Sequence, residues 1–137
     1  MEELSVSTCW HLMCTVEVGR LAFGVGDRIE IFPVNFAIDG ESVLFRTAEG
    51  TKLAATVLDH EVALETDAYD DLSGRAWSVV VHGRASEVTD PDELEDLATL
   101  PLYPWSSTEK NRFVRITPLE VSGRRFRVTE THAPLIG

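Results

Sequence analysis

Residues 33–58, PVNFAIDGESVLFRTAEGTKLAATVL, decide the fold. Alternating apolar residues on either side of Asp39-Gly40 predict two strands, and an Asp-Gly pair in that position is a strong signal for a tight hairpin turn. Residues 48–50 then form a short loop, and the residues after it predict a helix. The stretch is therefore expected to form a strand, a turn, a second strand and a helix, in that order.

Three polar side chains in this stretch predict a phosphate site. Arg46 lies on the second strand and shares a face with Leu44, so we expect it to point towards a partly covered region. Thr51 and Lys52 stand where the helix begins. Free N–H groups at a helix start attract an anion, and an arginine and a lysine beside them neutralise its charge.

Length and composition predict one acidic, soluble domain. The chain has 137 residues, which suits a single domain of residues 1–137 with a loose tail from about residue 129. Lys+Arg number 12 and Asp+Glu 23, giving a net charge of −11, which argues against nucleic acid or an anionic membrane as partner. No apolar run approaches the roughly 20 residues of a membrane span, so we expect a cytoplasmic protein.

The remaining segments predict a mainly β fold with flanking helices. Helices are expected over residues 5–18, with Ser5 or Ser7 as the cap and Gly19 as the end, and from Asp90 to about Leu100. Further strands are expected over residues 20–25, 29–38, 61–69, 75–88, 113–117 and 120–128. Short connections between so many strands indicate a small antiparallel barrel of about six strands with helices at its openings.

Two strands carry local irregularities. The apolar positions change parity at Phe32-Pro33, which predicts a β-bulge that exposes the backbone amides of Val34 and Asn35. Gly83, in the middle of the strand over residues 75–88, predicts a bend or a close approach of another backbone. Cys9 and Cys14 are five residues apart on the predicted first helix, where they point in different directions, so we expect neither a disulfide nor a zinc site.

Five sequence runs, in order and with consistent spacing, resemble the pyridoxamine 5′-phosphate oxidase-like family of FMN-binding split barrels. They are VGRLAF (18–23), PVNF (33–36), LFRTAEGTKL (44–53), WSVVVHG (77–83) and VRITPLEVSGR (114–124). The resemblance covers roughly residues 4–126. It implies a six-stranded antiparallel split barrel, and a homodimer with FMN bound at the subunit interface.

The resemblance also implies the residues that contact the flavin. By position, Pro33, Val34 and Asn35 would border the isoalloxazine ring through their backbones. Thr51 and Lys52 would bind the phosphate, in agreement with the interpretation of these residues above.

Further contacts are implied on two other strands and one loop. Phe45, Arg46 and Thr47 would lie along the pyrimidine edge and the ribityl chain. Trp77 and Ser78 would add contacts from a later strand. Trp105, in a proline-rich loop, would cover the ring from the partner subunit.

The chain departs from the oxidase itself at its C-terminal end. The oxidase carries an arginine and a histidine that grip the substrate, whereas VSGRRFRV (121–128) has arginines and no matching histidine. Oxidation of pyridoxamine phosphate is therefore not expected. The closer resemblance is to the short branch that contains nitroimidazole-resistance-like reductases and deazaflavin-dependent proteins.

The leading hypothesis is an FMN-dependent oxidoreductase that acts on a small molecule, with no catalytic base assigned. A second hypothesis is a reductase that uses the deazaflavin coenzyme F420, with the arginines of residues 124–127 binding its longer anionic tail. A third is a non-catalytic dimer that binds flavin or haem, for which His11 or His82 would be the axial ligand. A fourth is a β-barrel binding protein without a cofactor.

Overall fold

The computed structural model describes residues 1–48, 52–100, 102 and 111–128. In this part of the chain the helices are α1 (Val6–Met13), α2 (Lys52–Val57) and α3 (Pro91–Leu97). The strands are β1 (Glu2–Glu3), β2 (Val18–Val25), β3 (Arg28–Asp39), β4 (Ser42–Ala48), β5 (Glu61–Asp70), β6 (Arg75–Glu87) and β7 (Asn111–Arg127). None of the helices described has the length and apolar character needed to cross a membrane.

Antiparallel pairing closes the six long strands into a ring. The order is β7-β4-β3-β2-β5-β6, and β6 pairs again with β7. The two-residue β1 pairs with Arg124 and Arg125, near the C-terminal end of β7. Closure removes the free sheet edges that an open sheet would present. The predicted fold, a mainly β antiparallel barrel with flanking helices, is confirmed.

The last strand differs from the prediction of two separate strands over residues 113–117 and 120–128. β7 is one strand of 17 residues that pairs with β4 at its start and with β6 along most of its length. The pairing register shifts between His82, which faces Glu120, and Gly83, which faces Pro118. A bulge at Leu119 therefore accommodates the proline without breaking the strand.

The first helix is shorter than predicted. α1 ends at Met13 instead of extending to residue 18, and Ser5 caps it by accepting a hydrogen bond from the Thr8 backbone N–H at 3.2 Å. Gly19 lies inside β2 and does not end the helix. A Cβ there would lie 3.1 Å from the Glu65 carbonyl oxygen and 3.1 Å from Leu64, so glycine allows β2 to pack closely on β5.

The expected bulge at Phe32-Pro33 is absent. β3 pairs with β2 without a shift of register from Arg28 to Asn35. The change of parity arises because Ile29 and Ile31 lie on the outer face of the ring, where they are 77% and 63% exposed. Apolar side chains on the solvent side give the same pattern in the sequence as a shift in the alternation of buried residues would.

Two apolar clusters fill the fold. The larger lies inside the ring, where buried residues of all six long strands meet Cys9 and Met13 of α1 and Val57 of α2. Cys14 is exposed whereas Cys9 is buried, and both cysteines are free. The smaller cluster lies outside β4 and consists of Leu44, Val88, Leu97, Leu102 and Phe113.

Replacing Gly83 with alanine tests the close approach at the bulge. The new Cβ would overlap the Thr117 carbonyl oxygen and lie 2.7 Å from Ile116 Cγ2. Overpacking of this kind costs about 1–3 kcal/mol of unfolding free energy, measurable by chemical denaturation. Gly24→Ala is the matched control, because the nearest atom to its Cβ is 3.9 Å away. Equal stabilities of the two variants would contradict the proposed close approach.

Candidate functional site

An opening between β3 and β4 brings together several residues that the sequence singled out. The β3–β4 ladder runs from Asp39–Ser42 to Phe36–Phe45. Beyond it, residues 33–35 of β3 pair with β2, and residues 46–48 of β4 pair with β7. We call the opening between residues 33–35 and 46–48 the split. The ring is continuous through its other strands, so the split affects only these ends of β3 and β4.

The backbone of Asn35 faces the split. Phe36 donates its N–H to the Glu17 carbonyl oxygen at 3.1 Å, which directs the Phe36 amide towards β2. Because successive residues of a strand direct their backbone groups to opposite edges, those of Asn35 point towards β4 and those of Val34 towards β2. Of the two amides expected to be presented to a ligand, the alternation places only that of Asn35 at the split.

Asn35 and Arg46 flank the split on the outer face of the ring. Ala37 pairs with Leu44 on that face, so the next pair in the same register would be Asn35 with Arg46. Phe36–Phe45 is the last pair of the ladder, so Asn35 and Arg46 stand at its end, where the two strands begin to follow different neighbours.

The guanidinium of Arg46 is held from two sides. Its NH1 atom donates to the Leu102 carbonyl oxygen at 3.2 Å, and its Cζ lies 5.0 Å from the centre of the Phe113 ring. Its Nε is buried and has no hydrogen-bond partner among the residues that the structure describes. A buried guanidinium N–H without a partner is costly, which makes Arg46 a candidate anion-binding residue.

Three of the predicted contacts have side chains inside the ring. Val34 and Phe45 belong to the buried core, so neither side chain faces a ligand at the split. Thr47 is also buried, and within the described residues its Oγ1 has no hydrogen-bond partner. Pro33, in contrast, lies exposed on the outer face opposite Arg20 of β2.

The predicted phosphate site is described only in part. α2 begins at Lys52, as expected, but has six residues, so its dipole is small. Lys52 comes shortly after Ala48, the last residue of β4, and its side chain is not described. Thr51 and Trp105 lie outside the described residues.

Trp77 and Ser78 lie apart from the split within one chain. They belong to β6, which is separated from β3 by β2 and β5 in one direction round the ring and by β7 and β4 in the other. Trp77 packs partly buried against the core, whereas Ser78 lies on the outer face. The structure does not bring these two residues together with Asn35 and Arg46.

The sequence analysis missed a polar cluster on the outer face beside β3. Arg20 NH1 lies 3.3 Å from Glu65 Oε1 and 3.3 Å from Asp67 Oδ2. Ser78 Oγ donates to Glu65 Oε2 at 3.2 Å. We call Arg20, Glu65, Asp67 and Ser78 the polar cluster. The sequence signal for this cluster is the alternation of apolar and polar residues along β5, which places Glu65 and Asp67 on its outer face.

The environment of Glu65 changes its acidity. The pKa of Glu65 is raised to about 7, mainly by burial and then by the hydrogen bond and negative charge of Asp67, while Ser78 and Arg20 act in the opposite direction. Arg20 and the Ser78 hydroxyl therefore compensate only part of the desolvation. Near neutral pH this carboxyl exchanges its proton readily.

An open cleft adjoins the polar cluster and β3. It has a volume of about 450 Å³ and is lined by the residues that join α1 to β2 and by Asp67. We call it the α1–β2 cleft; its lining residues are Thr15, Val16, Glu17, Val18, Arg20 and Asp67. Val18 pairs directly with Asn35, so the cleft opens next to the split.

The residues behind the alternative hypotheses lie elsewhere. His11 is exposed on α1, and His82 is exposed on the outer face of β6. Arg125 and Arg127 line a cleft of about 250 Å³ with Arg75, at the far end of β7 from Phe113 and Arg46. Within one chain, these arginines are therefore separate from the split.

Comparisons with known proteins agree with the fold. The pyridoxamine 5′-phosphate oxidase family model matches residues 5–125. A FAD-binding protein of Mycobacterium smegmatis shares 40% identity with a TM-score of 0.82, covering 92% of this chain and 100% of its own. A candidate pyridoxamine 5′-phosphate oxidase of Corynebacterium glutamicum shares 38% identity with a TM-score of 0.80, covering 94% and 95%.

A sequence relative extends over nearly the whole chain. An uncharacterised protein of Mycobacterium tuberculosis is 32% identical and covers 96% of this chain and 89% of its own length. The family model and the strand order therefore agree on both sequence and fold. The chain belongs to the pyridoxamine 5′-phosphate oxidase-like family, as its sequence motifs predicted.

Proposed function

We propose that this protein is a flavin-dependent oxidoreductase that binds FMN at the split and transfers electrons to a small molecule. Arg46 and Lys52 would hold the phosphate, and the backbone of Asn35 would contact the ring system. When bound, the flavin supplies the hydride or electron chemistry. The protein then supplies binding, orientation and a surface from which water is partly excluded.

The observation that carries this proposal is the buried Arg46 Nε atom, which has no hydrogen-bond partner in the described residues and stands at the end of the β3–β4 ladder. Buried donors are normally satisfied, so a ligand with acceptor atoms is the simplest completion of this site. A flavin offers both a phosphate and ring heteroatoms that accept hydrogen bonds.

FAD is the alternative cofactor, because the Mycobacterium smegmatis relative at 40% identity is a FAD-binding protein. The two nucleotides share the flavin ring and the first phosphate, so the same residues serve both.

We also propose a cytoplasmic homodimer. The exposed Ile29 and Ile31 lie on the outer face beside Ala22 and Gly24, where a second copy of the chain would cover them. Residues of that copy would then approach the split.

An absorption spectrum of the purified protein tests the cofactor class. After FMN or FAD is added in separate samples and excess is removed by desalting, we expect the bands of oxidised flavin to remain with the protein. Titration by flavin fluorescence then ranks FMN against FAD. A protein that retains neither nucleotide would contradict the proposal.

Substitution of the two cations tests the phosphate site. Arg46→Ala and Lys52→Ala should each weaken flavin binding by about 1.5–3 kcal/mol, the scale of a hydrogen bond to a charged group. Isothermal titration calorimetry measures the change. Arg46→Lys should also bind less tightly, because it keeps the charge and loses the Nε donor.

Arg28→Ala is the matched control for these variants. Arg28 is a highly exposed arginine at the start of β3, paired with Glu30 at 3.1 Å, and its loss should leave flavin affinity unchanged. Circular dichroism establishes that each variant is folded. Unchanged affinity in both Arg46→Ala and Lys52→Ala would remove the phosphate assignment.

A further inference from the structure

Arg115 of β7 joins the β3–β4 hairpin to α3. Its NH1 atom donates to Asp39 Oδ2 at 3.0 Å and to Ser42 Oγ, at the two sides of the hairpin turn. Its NH2 atom donates to Oε1 of Glu93, in the first turn of α3. The Arg115 side chain is 20% exposed, so these are charge-assisted hydrogen bonds in a partly desolvated place. The guanidinium of Arg115 therefore fastens α3 to the outer face of the ring.

The apolar contacts of α3 do not by themselves set its position along the sheet. Leu97 is buried in the smaller apolar cluster, and Leu94 packs against that cluster. Hydrophobic contacts are non-directional, so they resist separation of the helix from the sheet more than movement along it. The bond between Arg115 and Glu93 joins a defined donor to a defined acceptor, so it determines where α3 lies on the sheet.

The end of α3 leads directly to the residue that holds Arg46. Leu100 donates its backbone N–H to the Leu97 carbonyl oxygen at 3.0 Å, and Leu102 donates to the Leu100 carbonyl oxygen at 2.8 Å. Leu102 is buried in the smaller apolar cluster, and its own carbonyl oxygen accepts the bond from Arg46 NH1 at 3.2 Å. A shift of α3 would therefore move the acceptor that holds the Arg46 guanidinium.

Two contacts together fix the orientation of this guanidinium. The contact of the Arg46 Cζ with the Phe113 ring, 5.0 Å from its centre, limits the tilt of the guanidinium plane. The bond from NH1 to Leu102 limits rotation within that plane. Because the guanidinium is planar and rigid, these two contacts also determine the direction of Nε, which is buried and has no partner among the described residues.

We propose that Arg115 and Glu93 are positioning residues for the flavin site. This inference rests on the proposed function, in which Arg46 binds the flavin phosphate. The bond between Arg115 and Glu93 sets the position of α3, and α3 sets the position of the Leu102 carbonyl. That carbonyl holds Arg46 so that its Nε atom is available to the ligand. Neither positioning residue has to contact the flavin.

Hydrogen exchange at the Arg46 Nε–H group tests this coupling in the flavin-free protein. In protein labelled with ¹⁵N-arginine, its NMR signal is the one that Arg46→Lys removes. Glu93→Ala should speed the exchange roughly tenfold, the scale of one hydrogen bond to a charged group, because a guanidinium that is held less firmly meets water more often. Unchanged exchange in Glu93→Ala would overturn the inference.

Glu95→Ala is the matched control for this experiment. Glu95 is an exposed carboxylate of the same helix, so its removal makes the same change of charge and leaves the bond between Arg115 and Glu93 in place. The exchange rate of Arg46 Nε–H should stay at its natural value. Equal acceleration in Glu93→Ala and Glu95→Ala would attribute the effect to the helix in general and contradict a specific role of Glu93.

A double-mutant cycle separates positioning from general stability. Glu93→Ala should weaken FMN binding roughly tenfold in the natural sequence. It should have no further effect in Arg46→Ala, because both substitutions act through the same guanidinium. Titration by flavin fluorescence measures the four affinities. Equal losses in the two backgrounds would mean that Glu93 contributes only stability, and the inference would be wrong.

Asp39→Asn tests whether any weakened contact of Arg115 has the same effect. It weakens the other ion pair of Arg115, keeps the shape of the side chain and leaves Glu93 in contact. The denaturation midpoint should fall slightly, since Asp39 is 54% exposed, while the FMN affinity and the Arg46 exchange rate should not change. A loss of affinity as large as that of Glu93→Ala would contradict the proposed role of α3.

The two proposals fail in different ways. A protein that binds no flavin would remove the proposed function, yet the exchange of Arg46 Nε–H would still show whether the bond between Arg115 and Glu93 holds this guanidinium. Flavin binding with natural affinity in Glu93→Ala would retain the proposed function and remove only this inference.

Discussion

The structure depends on one strand that must pair on both of its edges. β7 joins β4 to β6 and so closes the ring, which leaves the buried side chains of the six long strands facing one interior. Closure requires the backbones of β6 and β7 to come very near each other at Gly83. The bulge at Leu119 keeps the rest of β7 in register despite Pro118, because it absorbs one extra residue locally.

The same pairing scheme creates the split. β4 follows β7 beyond Phe45, and β3 follows β2 before Phe36, so their common ladder ends there. Beyond that point each of the two strands follows a different neighbour. The candidate binding site thus results from strand pairing itself, and Arg46 adds to it a guanidinium that Phe113 and the Leu102 carbonyl hold in place.

Alternation along the strands separates structural from functional side chains. Val34, Phe45 and Thr47 point into the ring, whereas Asn35, Arg46 and the polar cluster lie on the outer face. Because the chain is acidic overall, the few arginines on its outer face determine where an anion can bind.

The sequence by itself determined the mainly β fold, the Asp39-Gly40 hairpin and the family, because these follow from periodicity, turn chemistry and local motifs. It also predicted that Arg46 faces a partly covered region, since Arg46 shares a strand face with Leu44. It failed at Phe32-Pro33 and at the end of the first helix. At Phe32-Pro33 the exposed Ile29 and Ile31 gave the apolar pattern that a bulge would give. At the first helix, Gly19 allows close packing of two strands, but in the sequence it cannot be distinguished from a glycine that ends a helix.

Only the tertiary structure decided which strands pair, and therefore what lies beside the split. The contact of Arg20 with Glu65 joins residues far apart in sequence, and so does the contact of Arg46 with Leu102. The raised pKa of Glu65 likewise depends on burial and on neighbours that pairing supplies. Local sequence patterns set the direction of each side chain, but contacts between distant segments depend on how the ring closes.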